Sequence, residues 1–265
     1  MDFQQAFDRV WRKGLFVKMQ ELGIHGNMYK WIKNFLTDRL IRTKVGNAYS
    51  AKKVLEEGLP QGSSLSSTLF LIYLNDLPKE IKSEKDQYAD DLSMWQTQNN
   101  IGTCAILLNE DLIKLERFCI KWKIKINYTK TVYTIFSKSS KEAQKNVKIQ
   151  IGEHKVNKEE NPVCLGVDLD SRLTFSKQME KLKQKATNRL KIVKRLASSK
   201  WGANKNNLRQ MYLGYVRSVL EQHLALQSIC STSQQQKLDK VQNEAVKFIS
   251  KDLEEVTLTT QTERL

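Results

Sequence analysis

Within this 265-residue chain, the pair Asp90-Asp91 in Tyr88-Ala89-Asp90-Asp91 is the feature whose residue types and spacing point most directly to chemistry. Strand-like apolar residues flank it, so the two carboxylates are expected in a tight hairpin turn, exposed and close together. Their mutual repulsion is unfavourable unless a cation neutralises it, and hard oxygen donors select Mg²⁺ or Mn²⁺. Asp is also a favoured turn residue, so a lone Asp-Asp has an ordinary structural explanation. Other chemistries lack their residues. Cys104, Cys119, Cys164 and Cys230 are far apart and form no Cys-x-x-Cys pair, so zinc-ligand spacing and a disulfide framework are both absent. His25, His154 and His223 are isolated, and no Ser/His/Asp or Cys/His nucleophile arrangement can be assembled.

The elements that must position the acidic pair can be read from spacing. Residues 14–36 follow a helical period broken near Gly23–Gly26, and residues 41–45 and 51–55 form a hairpin around Gly46-Asn47. Residues 63–77 make an apolar helix after a Gly-rich turn, and 87–95 make two short strands turning at Asp90-Asp91. An amphipathic helix over 106–122 and strands over 132–136 and 147–151 follow. The fold class is α+β, with an all-α region after it. There, Phe175, Met179, Leu182, Ala186, Leu190 and Val193 form one apolar stripe. A turn over 201–207 leads to a second helix, with Leu208, Met211, Tyr215, Val219 and Leu220 in register, and a third has Leu238, Val241, Ala245 and Phe248.

Charge separates the same two regions. The chain carries a net charge of +15, yet residues 171–251 alone hold 17 basic and 4 acidic residues. A concentration of that size attracts polyanions, and nucleic acid is the usual one. No apolar run approaches the roughly 18 residues of a membrane span. The N-terminus has no basic segment followed by an apolar one, so it is not a signal peptide. An intracellular protein, nuclear or cytoplasmic and not secreted, is expected, with no membrane association and nothing to indicate a protein partner.

Five short segments occur in order: Asp2-Phe3-Gln4-Gln5-Ala6-Phe7-Asp8, Gly58-Leu59-Pro60-Gln61-Gly62-Ser63, Tyr88-Ala89-Asp90-Asp91, Asn127-Tyr128-Thr129-Lys130-Thr131 and Cys164-Leu165-Gly166-Val167. The series resembles motifs A to E of the reverse transcriptases of non-LTR (LINE-type) retrotransposons, most closely the jockey-like group. The resemblance covers roughly residues 2–250 and implies a polymerase palm, an antiparallel sheet with supporting helices, over residues 1–170. A basic helical thumb over 171–265 follows from it, with the fingers largely missing. The implied activity is RNA-directed DNA polymerisation: two-metal transfer of a nucleotide from dNTP to a primer 3′-hydroxyl, with an RNA template and a DNA primer as partners.

By resemblance, Asp2, Asp90 and Asp91 are the catalytic, metal-holding carboxylates for two Mg²⁺ ions, with Mn²⁺ as a substitute. Two such ions activate the hydroxyl and stabilise the leaving pyrophosphate. Asp8, six residues beyond Asp2, reads as structural. Phe7 aligns with the aromatic that discriminates against a 2′-hydroxyl, or it is a core aromatic. Gln61 aligns with the glutamine near the incoming nucleotide. Lys130 is either the proton donor to pyrophosphate or one more solvated lysine. Leu165 and Gly166 resemble the primer grip, and Lys183, Lys191 and Lys194 suit backbone contacts to a duplex.

Departures from the family pattern are also visible. Only Met1 precedes Asp2, Ser67 stands where a proline is usual and Gln222 where a tyrosine is usual. The chain therefore reads as N-terminally truncated, with Asp2 expected to fray and primer extension expected to be very low. The alternative is a catalytically inactive retrotransposon remnant that at most binds nucleic acid.

Overall fold

A computed structural model of the chain describes residues 1–77, 81–197, 203–222 and 224–262, with side chains as far as residue 250. His223 and the start of the turn expected over 201–207 lie outside the described residues. The structure forms two compact units. Met1–Tyr133 with Lys145–Glu159 make the first, and Thr134–Gln144 with Glu160–Leu265 make the second.

In the first unit, helices α1 (Arg12–Glu21) and α2 (Gly26–Leu36) are separated where the sequence predicts a break. Gly23 and Gly26 there take φ of 80° and 63°, a left-handed backbone that glycine adopts without a Cβ clash. Helix α3 (Ser64–Leu74) is apolar through its second half and buries one side, while Ser67, Thr68 and Leu71 remain exposed. Its Leu69, Phe70, Tyr73 and Leu74 are buried with Leu15 and Met19 of α1. Helix α4 (Ile101–Lys121) closes this core with Leu112, Leu115 and Phe118. Burying each such side chain contributes about 1.5–3 kcal/mol, so the cluster dominates the stability of the unit.

The sheets are small, each of two strands. Glu84–Tyr88 and Asp91–Trp95 form a hairpin of five residue pairs, from Glu84 opposite Trp95 to Tyr88 opposite Asp91. Its turn is centred on Ala89 and Asp90, not on Asp90 and Asp91 as the sequence reading has it. Ala89 takes a φ of 53°, and Asp91 already belongs to the outgoing strand. The hairpin expected around Gly46-Asn47 is present: Lys44–Val45 pairs with Ala48–Tyr49, and Arg39–Ile41 pairs with Lys53–Leu55 below it. The mixture of helices and small sheets is the α+β class that the sequence indicates.

Asp111, on α4, is a buried carboxylate in this core. It accepts from the Ser83 amide (2.6 Å), the Ser83 hydroxyl (2.7 Å) and Lys114 Nζ (2.9 Å). Burial pushes its pKa up, but these donors and the Lys82 amide outweigh burial and hold it down to about 2. A folded-state pKa below the unfolded value of about 3.9 makes the contribution full above pH ~5 and progressively lost as pH falls toward 2. Asp111→Asn is expected to lower unfolding free energy at pH 7 by about 2 kcal/mol and to flatten the acid limb of the stability curve. Urea titrations of both proteins at pH 7 and pH 3 measure this. A variant with the same pH slope as the parent would exclude Asp111 as the source.

The second unit contains the short helix α5 (Ser140–Gln144) and a helical stack: α6 (Ser176–Arg195), α7 (Lys205–Met211), α8 (Ser218–Glu221), α9 (Leu224–Ile229) and α10 (Thr232–Thr262). The expected stripe on α6 is its core face, with Met179, Leu182, Ala186, Leu190 and Val193 all buried. They meet Leu238, Val241, Ala245 and Ile249 of α10. The register expected for the second helix is corrected in part. Met211 and Tyr215 are 37% and 41% exposed, whereas Tyr212 and Val216 are buried. Residues Tyr212–Arg217 form a π-helical segment between α7 and α8. Its wider i→i+5 turn keeps residues four apart in phase, so Leu208, Tyr212 and Val216 share the inner face.

Candidate active site

The acidic hairpin meets the first residues of the chain directly. Asp2 forms an antiparallel bridge with Asp91, and Phe3 bridges Ile126 on the other side. The Met1 amino nitrogen donates to Leu92 O (2.8 Å), and Leu92 N donates back to Met1 O (3.1 Å). Asn127 N donates to Asp2 O (2.9 Å) and Gln4 N to Lys125 O (2.8 Å). Asp2 is thus a central position between the Asp91–Leu92 edge and residues 125–127. Against the fraying expected of Asp2, backbone pairs flank the segment on both sides and Phe3 is buried beneath it.

Side chains continue the arrangement. Asn127 Nδ2 donates to Asp2 Oδ2 at 3.0 Å, and Lys130 Nζ lies 3.3 Å from the same oxygen. Asp90 is half-buried at the hairpin tip and Asp91 is exposed. With the Asp2 carboxylate turned toward Asn127 and Lys130, no three His, Cys, Asp or Glu side chains among the described residues stand ready to hold a metal between them. The three carboxylates share one place in the fold without yet converging.

Motif B is fastened to motif A by a separate set of bonds. After residue 3 the chain leaves strand geometry, with Gln5 at a φ of 50°. Residues 7–10 then run beside the loop that precedes α3. Leu59 N donates to Phe7 O (2.8 Å), Gly58 N to Val10 O (2.9 Å), and Gln61 Nε2 to Asp8 Oδ1 (2.9 Å). Gly58 has a φ of 82°, and a Cβ there would lie 2.5 Å from Asp8 O. Only glycine permits this approach. Phe7 stacks on Phe70, with ring centroids 4.4 Å apart, and keeps part of its surface exposed. Gln61 is exposed.

Two buried cations on α1 had no role in the sequence reading. Arg12 donates Nε to Gly58 O (2.8 Å), Nη1 to Leu55 O (2.6 Å) and Nη2 to Glu57 O (2.8 Å). Burial lowers its pKa, as does the nearby charge of Arg39, while Glu57 acts the other way. Lys18 is bonded to Tyr73 O and Asp76 and lies over the rings of Trp122 (3.9 Å), Phe118 (4.8 Å) and Tyr73 (5.1 Å). The signal for Arg12 was its place at i, i+3, i+7 with Leu15 and Met19, a cation on an apolar stripe. Asn127, quoted within its motif, carried no assigned role either.

Leu165 and Gly166 belong to the second unit. They form the turn between Val163–Cys164 and Val167–Asp168, with φ of 47° and 79°. The α6 lysines differ from one another. Lys183 pairs with Glu180 (3.0 Å), and Lys194 pairs with Glu244 of α10 (2.6 Å). Lys191 is exposed and makes no ion pair among the described residues. All four cysteines are free thiols, and burial pushes Cys119 up to about 12. No described helix is long and apolar enough to cross a membrane.

Comparison with known proteins identifies the family. Residues 1–169 match the family described as reverse transcriptase (RNA-dependent DNA polymerase). The chain is 28% identical over 258 residues to the probable RNA-directed DNA polymerase from transposon BS of Drosophila melanogaster, covering 94% of this chain and 28% of that protein. Identity to the RNA-directed DNA polymerase from mobile element jockey of the same fly is 29% over 192 residues, 69% of this chain and 20% of the relative. The corresponding jockey protein of Drosophila funebris is 26% identical over 258 residues, again 94% of this chain and 28% of the relative. The chain therefore spans less than a third of the length of these relatives. With a family match over residues 1–169 and jockey-type relatives along most of its length, the chain belongs to the reverse transcriptase family, as a domain of the LINE type.

Proposed function

We propose that this chain carries the polymerase centre of an RNA-directed DNA polymerase, with Asp2, Asp90 and Asp91 as its metal-holding carboxylates. The observation that supports the reading most is the Asp2–Asp91 bridge, which joins residues 89 positions apart in one acidic edge. The donor set suits Mg²⁺: these are hard oxygens from two chain segments, and a cationic ammonium already lies against one of them. When bound, two divalent ions supply a more acidic primer hydroxyl and charge compensation for the departing pyrophosphate.

The remaining roles belong to the protein's own groups. Carboxylates from separate segments can grip an ion pair from two sides, which neighbours on one strand cannot do. Phe7, backed by Phe70, offers a flat apolar surface whose bulk would stand against an added 2′-hydroxyl. Gln61, held by Asp8, is available to the incoming nucleotide. Lys130 is within reach of the same centre as a proton donor. In this reading the first unit is the palm, Leu165-Gly166 the primer grip and the basic helices of the second unit the thumb. RNA template, DNA primer and dNTP are the partners.

Extension of a DNA primer on an RNA template, measured with Mg²⁺ or Mn²⁺ against an Asp90/Asp91 double variant, tests the assignment. The backbone pairs of Asp2 remove one ground for expecting very low activity. Equal background in both proteins, each shown to be folded, would leave only nucleic-acid binding. The thumb assignment has its own test. Lys191→Gln is expected to weaken duplex binding and to lower the slope of log affinity against log salt by about 1, as loss of one phosphate contact does. Lys194, tied to Glu244, should affect thermal stability more than that slope. Fluorescence anisotropy at several salt concentrations separates the two. An unchanged slope in the Lys191 variant would count against the thumb.

A further inference from the structure

We infer that Lys130 stands in the place of a cation at Asp2, and that Asn127 is the positioning residue of this carboxylate. A divalent ion then binds by exchanging with the lysine ammonium. The inference rests on the polymerase reading of Asp2 and Asp90 and adds two residues to it.

Asn127 is fixed from several sides. Its Oδ1 accepts from Thr129 Oγ1 (2.8 Å) and from Lys130 N (3.3 Å), so the amide is oriented with Nδ2 toward Asp2 Oδ2 at 3.0 Å. Its backbone N also donates to Asp2 O (2.9 Å). The carboxylate is thereby locked to a turn rather than to a free side chain. Lys130 reaches the same Oδ2 at 3.3 Å from a side chain that is 72% exposed. An ion pair this exposed is weak and exchangeable, whereas the Asn127 bond is neutral and does not repel an arriving cation. The turn therefore has two functions: Asn127 holds the carboxylate in place, and Lys130 compensates its charge until a stronger cation takes over. The ammonium released in that exchange remains beside the centre, where a proton donor is wanted.

The test is Mn²⁺ binding to the full chain, followed by the electron paramagnetic resonance signal of free Mn²⁺, with no turnover required. Lys130→Gln is expected to bind Mn²⁺ about two- to fivefold more tightly, the fold-change that losing an exposed competing ion pair allows. Asn127→Ala is expected to bind about tenfold more weakly, as loss of an outer partner of a metal ligand does. The opposite signs distinguish exchange from misfolding, which would weaken both, and the exposed Lys130 variant folds in any case. Lys125→Gln removes an exposed charge of the adjoining segment that makes no ion pair with Asp2, and its affinity should stay near that of the parent. Equal tightening by Lys125→Gln and Lys130→Gln, or no tightening by the latter, would overturn the exchange. Unchanged affinity in Asn127→Ala would overturn the positioning role. Binding that Asp90→Asn does not weaken would overturn the metal-site reading as well. Binding that needs Asp90 but is indifferent to Lys130 and Asn127 would overturn this inference alone.

Discussion

Replacing Asp90 and Asp91 together by Asn is expected to reduce Mg²⁺-dependent primer extension by about a thousandfold or more, with no loss of fold. The size follows from the chemistry: two ions that each stabilise transition-state charge supply several kcal/mol, and about 1.4 kcal/mol is a factor of ten in rate. The structure explains why stability should survive. Asp91 is exposed, Asp90 is half-buried, and the hairpin rests on five backbone pairs and on the buried Leu92 rather than on the carboxylates. Removing two adjacent like charges from a turn strained at Ala89 relieves repulsion. The melting temperature should therefore be unchanged or slightly raised while extension disappears. Single-turnover extension on a primed RNA template, paired with a thermal melt followed by circular dichroism, gives both readings. Retained extension in a folded double variant would sink the catalytic assignment.

Arg12→Met is expected to be strongly damaging to the first unit, lowering unfolding free energy by about 3 kcal/mol or more. The guanidinium is buried and its three donors end on the carbonyls of Leu55, Glu57 and Gly58. Each bond from a charged donor contributes about 1.5–3 kcal/mol, and the methionine leaves those carbonyls facing an apolar side chain. Arg12→Lys should recover little, since a point charge cannot serve three acceptors spread along a loop as a planar fork does. The same loop leads into Pro60-Gln61, so extension should fall together with stability. Urea unfolding should show a lower midpoint at an unchanged slope. A loss below about 1 kcal/mol would mean that water replaces the guanidinium, and that the loop holds its shape without it.

Much of the site was legible in the sequence because its parts are short and local. Tyr88-Ala89-Asp90-Asp91 encodes a hairpin by its own flanking residues, whereas the close approach of Gly58 to the Asp8 backbone appears only in the fold. The α6 stripe from Met179 to Val193 is likewise local, since a helix that buries one face repeats every three or four residues. The sequence alone therefore determined the α+β class, the longer helices and the order of the motifs, but not the short helices α5 and α9 or the π segment. What it could not determine are contacts between residues distant along the chain. The Asn127 and Lys130 contacts with Asp2 Oδ2 and the grip of Arg12 on residues 55–58 each join separate elements, whereas the approach of Asp2 to the acidic hairpin was already implied by the resemblance. Nothing in local composition selects such partners. The phase of the Tyr212 and Val216 face was misread for a related reason. Leu208, Tyr212, Val216 and Leu220 fit a helical period as well as Met211, Tyr215 and Val219 do, and only packing against the α6 core decides between the two faces.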